Sequence, residues 1–296
     1  MTLQYSGVAQ AFSASERNTE IGVKSVTSVD NVSTSGVSRR TMLRIGAAAP
    51  LAGAALIGTA RMSSANPGYS WSGALSTGSE GPAVEQLQMR VAGYPDPSFG
   101  STLLVDGIYG SGTAAAVERF QVAYGLSQDG IAGEETYGQI YDLQTADNFT
   151  THFTLSEYNQ YNVAWGGRSE ISAARRRRNA TITVWKLEAL RRNVGQALLI
   201  SSSIRNNDVS AGSRHIYGDA VDISMIGGNP VVNGGYCGSP NVALAAREHG
   251  FREILGPGHD AAHADHLHFA EYVLGTSQAD AGAAGNYGTL ASHSGC

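Results

Sequence analysis

The chain has 296 residues, 42% of them hydrophobic and 15% charged, with 37 glycines. That balance excludes a disordered polymer, and the length accommodates two modest domains beyond a targeting segment. A formal net charge of -5 leaves no basic footprint, so nucleic acid is not an expected partner.

At the N-terminus, Ser38-Arg39-Arg40-Thr41-Met42-Leu43 precedes Ile45 to Ala60, an uncharged run of Ala, Gly, Leu and Ile. Small residues at Gly58-Thr59-Ala60 or Ser63-Ser64-Ala65 offer cleavage sites. A paired arginine before a mildly apolar run resembles a twin-arginine export signal. The run is short and interrupted by Pro50, poor material for a permanent span. Residues 1–65 are therefore read as signal segment and linker, leaving an exported protein with no stable membrane span after processing. The polar residues 1–37 receive no role. In an exported protein, a bridge between Cys237 and Cys296 would tie down the C-terminal tail, with free thiols the alternative.

Residues 68–146 carry an internal repeat. Asp106-Gly107-Ile108-Tyr109-Gly110 with Thr113 recurs as Asp129-Gly130-Ile131-Ala132-Gly133 with Thr136. Each copy opens a helical pattern, ending in Phe120-Gln121 and Leu143-Gln144, and each Thr is a candidate helix cap. Val84, Leu87, Gln88 and Val91 mark an earlier helix after the turn Gly78-Ser79-Glu80-Gly81. These elements, in this order and spacing, resemble the three-helix peptidoglycan-binding domain of cell-wall hydrolases. The resemblance implies a non-catalytic wall anchor, with peptidoglycan as partner. Tyr109 and Tyr124 are candidate glycan contacts, with a place in the core as the competing reading.

Residues 147–296 form a second domain. Ser156 is a candidate cap for a short helix, and Arg175-Arg176-Arg177-Arg178 reads as a solvated loop or helix end. Val184, Leu187, Leu190, Val194 and Leu198 predict an amphipathic helix packed on a core. Strands are predicted at 197–203, 221–225, 251–255 and 266–272, and a helix at 241–249 that stops at Gly250. With no regular βαβ rhythm, the fold class is α+β.

Two stretches then stand out, Ser213-Arg214-His215-Ile216-Tyr217-Gly218-Asp219-Ala220-Val221-Asp222 and His263-Ala264-Asp265-His266-Leu267-His268. Two imidazoles and one carboxylate with an open fourth position is the usual plan of a catalytic zinc site. On an uninterrupted strand His215 and Asp222 would face opposite ways, so the chain must bend between them, and Gly218 supplies the bend. For the third ligand, geometry leaves His263, His266 and His268 open.

The paired motifs resemble the zinc D-alanyl-D-alanine carboxypeptidases of the M15 peptidase family, whose fold is shared with the hedgehog signalling domain. The resemblance implies Zn2+ held by His215, Asp222 and His268, with Asp265 as the catalytic carboxylate and His263 as a further active-site histidine. Arg205, after Ser201-Ser202-Ser203, corresponds to the arginine that binds and polarises substrate, though the motif is altered and its gap to His215 is short. Ser213 reads as a substrate contact rather than a nucleophile, since it lacks an elbow motif. Asp219 and His266 are the alternative ligands, and His259 reads as loop or substrate rim. The expected function is a secreted or wall-associated monomeric metallopeptidase that cuts peptidoglycan stem peptides, foremost at D-Ala-D-Ala. An endopeptidase cutting L-Ala-D-Glu or a cross-bridge is one alternative; a wall-binding protein with a structural zinc is the other.

Overall fold

The computed structural model describes residues 68–99, 102–207, 213–232, 239–257 and 259–271. The export segment, Cys237 and Cys296 lie outside these residues. Among the described residues, no helix is long and apolar enough to cross a membrane.

Three helices, α1 (Pro82–Val91), α2 (Ser111–Tyr124) and α3 (Glu134–Leu143), build the first domain. Val84, Leu87 and Val91 meet Ala116, Val117, Phe120, Tyr137 and Ile140 in one core. The sequence repeat becomes a repeated polar brace. Gln88 donates to Asp106 Oδ1 at 2.9 Å, the Ile108 carbonyl at 3.0 Å and Thr113 Oγ1 at 3.0 Å. Gln121 does the same to Asp129 at 2.8 Å, Ile131 at 3.0 Å and Thr136 at 3.1 Å. Such full satisfaction is what lets two amides sit inside a small core. The threonines are therefore acceptors for these glutamines, and the N-cap positions belong to Gly110 and Gly133. Tyr109 is a core residue, 1% exposed, donating to the Gly130 carbonyl, whereas Tyr124 lies half-buried beneath Arg192.

The second domain begins with α4 (Leu155–Tyr158), closed by a capping box of Thr154 and Glu157; Ser156 lies inside the turn. Helix α5 (Ala173–Val194) follows, N-capped by Ser172 and ended by Gly195 in the left-handed region at φ 65°. That stop cuts the predicted helical stripe short, and Leu198 instead opens β1 (Leu198–Ser202). The remaining elements are β2 (Ala220–Ile226), β3 (Asn229–Pro230), α6 (Ser239–Glu248), β4 (Glu253–Leu255) and β5 (Leu267–Ala270). The sheet is antiparallel in the order β1-β2-β5-β4, with β3 paired to β2. An α+β fold results.

Alternation along the strands sorts core from site. Val221, Ile223, Leu267 and Phe269 join Ala180, Val184, Leu187 and Leu190 of α5 and Val242 and Ala246 of α6 in the core. Asp222 and His268, one residue out of phase, take the opposite face of the sheet.

Helix α5 is not amphipathic in the predicted sense, because a second face is buried too. Trp185 and Ala189 complete the core of the first domain, and Ile182 packs with Met89, Ala92 and Val105. The approach is close: a Cβ on Gly93 would fall 2.5 Å from Ala189 Cβ and 3.1 Å from Lys186 Cα. His249 Nδ1 bonds the Gly93 carbonyl at 2.7 Å from the other side.

The arginine run lies at a helix end, in the first turns of α5, but it is not solvated throughout. Arg176 is fully buried, donating to the carbonyls of Ala164 and Arg205 and to Asn206. Arg178 bonds Glu85 of α1 at 2.6 Å and the Val105 carbonyl. The run thus reads as fasteners. Guanidiniums with several donors suit such carbonyl-lined seats.

Trp185 is the largest of these contacts, 1% exposed, with its indole N–H donating to the Asn148 carbonyl at 2.9 Å. Trp185→Ala should cost about 3–5 kcal/mol, the usual range for emptying a buried aromatic site. Denaturant unfolding followed by near- and far-UV circular dichroism should show one transition moved to lower denaturant. Two transitions, with only one moved, would show that the domains unfold independently.

Candidate metal centre

The site is built where β2 and β5 pair. Asp222 stands across from Ser202 of β1 on one side and His268 of β5 on the other. Directly opposed residues share a sheet face, so Asp222 and His268 meet. His215 arrives on a 3-10 turn, Arg214–Tyr217, and Gly218 at φ 73° swings the chain into β2. The bend admits only glycine: a Cβ there would lie 2.7 Å from the Arg176 carbonyl oxygen. Tyr158 and Asn179 secure it by donating to the carbonyls of Gly218 and Tyr217 at 2.7 and 3.0 Å.

One ligating atom from each of His215, Asp222 and His268 lies within 4.8 Å of the others, and all three residues are buried. His215 Nε2 is 3.3 Å and His268 Nδ1 2.9 Å from Asp222 Oδ1. The remaining polar atoms are engaged. His215 Nδ1 donates to the Ser203 carbonyl at 2.5 Å, so its Nε2 is the nitrogen presented to the site. Arg205 bonds Asp222 Oδ2 at 2.5 Å. His268 Nε2 lies 3.3 Å from Glu253 Oε1. Two imidazoles and a carboxylate, with orienting partners behind each, are the N/O donor set zinc takes, so the residues fit that metal.

The electrostatics follow from burial and pairing. Burial lowers His215, while His268, which burial alone would also lower, is raised to about 9 by Asp222 and Glu253. Burial would raise Asp222, but hydrogen bonds from the two imidazoles outweigh it and hold it well below the usual carboxylate range.

The other sequence candidates fall into place around this triad. Asp219 points elsewhere: fully buried and paired with Arg214, it is pushed by burial up to about 6. His266 comes closer than expected, its Nε2 3.6 Å from Asp222 Oδ1, although it stays outside the ligand group. His266 Nδ1 bonds Asp265 Oδ1 at 2.9 Å, and Asp265 is otherwise open, its side chain 79% exposed. The His263 ring centroid stands 5.5 Å from that of His268 and 5.2 Å from that of His266. Arg205, bonded also to Ser202 Oγ at 2.8 Å, keeps a third of its side chain in solvent. Ser213 starts the turn that carries His215, and His259 lies beside His263 at the rim.

Two carboxylates escaped the sequence reading. Asp260 caps the turn Ala261–His263 through two backbone N–H groups and bonds His263 Nδ1 at 2.7 Å. Its signal was present, a capping Asp three residues before a histidine. Glu253 had none, since nothing local ties it to His268.

Comparison with known proteins gives two adjacent matches. A family model described as "Putative peptidoglycan binding domain" matches residues 80–140, and one described as "Peptidase M15" matches residues 151–269. The zinc D-Ala-D-Ala carboxypeptidase of Streptomyces albus G is 46% identical over 209 residues, covering 68% of this chain and 77% of the relative. A probable N-acetylmuramoyl-L-alanine amidase of Bacillus licheniformis is 43% identical over 67 residues, covering 22% of this chain and 19% of that protein.

Proposed function

Because the chain belongs to the peptidase M15 family, we propose that it is a wall-directed zinc carboxypeptidase that hydrolyses the D-Ala-D-Ala bond of peptidoglycan stem peptides. The observation that carries this reading is the buried His215–Asp222–His268 group, in a chain that also bears a peptidoglycan-binding domain. Zinc held by those three residues would polarise the scissile carbonyl and lower the pKa of a water.

The protein's own groups supply the rest. Asp265, exposed at the mouth of the site, accepts the proton from the attacking water and returns it to the leaving amine. His263, anchored through Nδ1 by Asp260, turns its other nitrogen to the developing oxyanion. Arg205 is held at the edge of the site by Asp222 and Ser202, and its exposed part faces the substrate carboxylate. Ser213 adds a substrate contact from the start of the His215 turn. We place the domain boundary between residues 146 and 147, and assign export to the Arg39-Arg40 segment.

Mass spectrometry of defined muropeptides after digestion tests the proposal. Release of free D-alanine from pentapeptide stems is the expected outcome. Internal cleavage without D-alanine would make the protein an endopeptidase. No cleavage by zinc-loaded protein would make it a wall-binding protein with a structural metal.

A further inference from the structure

We propose that Glu253 is a positioning residue of the metal centre: it holds the His268 ring in the orientation and tautomer that present Nδ1 to the metal. The inference rests on reading His215, Asp222 and His268 as the ligands.

Strand register brings the pair together. On β4 and β5, Glu253 lies opposite Ala270, Ile254 opposite Phe269 and Leu255 opposite His268. Glu253 and His268 are thus diagonal neighbours on one face of the sheet, within reach of a long side chain. Glu253 Oε1 lies 3.3 Å from His268 Nε2, and the two side chains are 14% and 6% exposed.

The chemistry gives that contact a direction. His268 Nδ1 lies 2.9 Å from Asp222 Oδ1, on the side where the ligand atoms converge. A neutral imidazole that ligates through Nδ1 carries its proton on Nε2, and a buried N–H needs an acceptor. Glu253 is that acceptor. His215 is arranged the other way round: its Nδ1 donates to a backbone carbonyl, that of Ser203, and Nε2 faces the site. One ligand's tautomer is therefore set by the main chain, while the other depends on a replaceable side chain.

Charge points the same way. A divalent metal beside Asp222 and Arg205 leaves a net positive charge of about two in a buried pocket, and Glu253 halves it. Reducing an uncompensated buried charge favours the loaded state.

The test is zinc affinity, measured on the full chain by competition with a chelator of known strength. Glu253→Gln, which keeps shape and loses charge, and Glu253→Ala, which removes the acceptor, should weaken zinc binding by about 10–100-fold, Ala more than Gln. The thermal midpoint of each zinc-free variant should match that of the zinc-free parent. In cobalt-loaded protein, the visible d–d bands of the Ala variant should shift as His268 loses its orientation. Unchanged zinc affinity in both variants overturns the proposal. So does a fall in zinc-free stability with affinity unchanged, which would make Glu253 a structural residue only. Weak zinc binding by the parent protein would overturn the ligand assignment itself, a result distinct from either.

Discussion

His268→Ala is expected to strip the protein of zinc and to reduce its peptidase activity to background. The ring is 5% exposed and supplies one of three converging ligand atoms. Its loss leaves two protein ligands, too few for a catalytic zinc site. It also deprives Asp222 of a hydrogen-bond partner in a buried setting, where an unpaired charge is costly. Elemental analysis after dialysis against buffered zinc provides the measurement. An intact one-to-one metal content would give the place to His266, whose Nε2 already lies 3.6 Å from Asp222 Oδ1.

Asp265→Asn should do the opposite to the metal and nearly the same to the rate. Asparagine keeps the size of the side chain but cannot accept a proton. Removal of a general base costs about 10²–10⁴-fold in turnover. The carboxylate is largely in solvent and bonds His266, a contact that asparagine's carbonyl oxygen can keep, so neither the fold nor the ligand group should suffer. Zinc content is expected at the parent level, with kcat falling by the stated factor. Parental turnover in the variant would take Asp265 out of the mechanism.

How much of this was legible in the sequence depends on the range of the interactions involved. The alternation along β2 and β5 is local, but it leaves His263, His266 and His268 open as the third ligand; only the β2–β5 register sets His268 across from Asp222. The Gly218 bend was equally local. The repeat of Asp106 to Thr113 in Asp129 to Thr136 announced a duplicated helical unit. Its threonines look like caps in local sequence, because the glutamines that use them come from the preceding helix. In α5 one apolar stripe predicts a core face; the second, Ile182, Trp185 and Ala189, has helical spacing too, but its partner surface lies in the other domain. The arginine run sits at a helix end, as its sequence allows, but the burial of Arg176 and the anchoring of Arg178 are not legible locally, since their acceptors lie distant in sequence. Glu253 needed the β4–β5 register, which no local pattern fixes.

The core that Trp185 closes has a mechanical consequence. A domain on a flexible tether samples a volume that grows with linker length. Here the crossing between the domains is itself folded, with Thr145 N–H bonded to the Phe149 carbonyl at 2.9 Å and Thr151 N–H to that of Leu143 at 2.8 Å. On the proposed reading, grip and blade are then the fixed jaws of a caliper. A glycan strand held by the first domain would then offer to the second only stems at a set distance, so spacing along the polymer, as well as stem chemistry, would bear on which stem is cut.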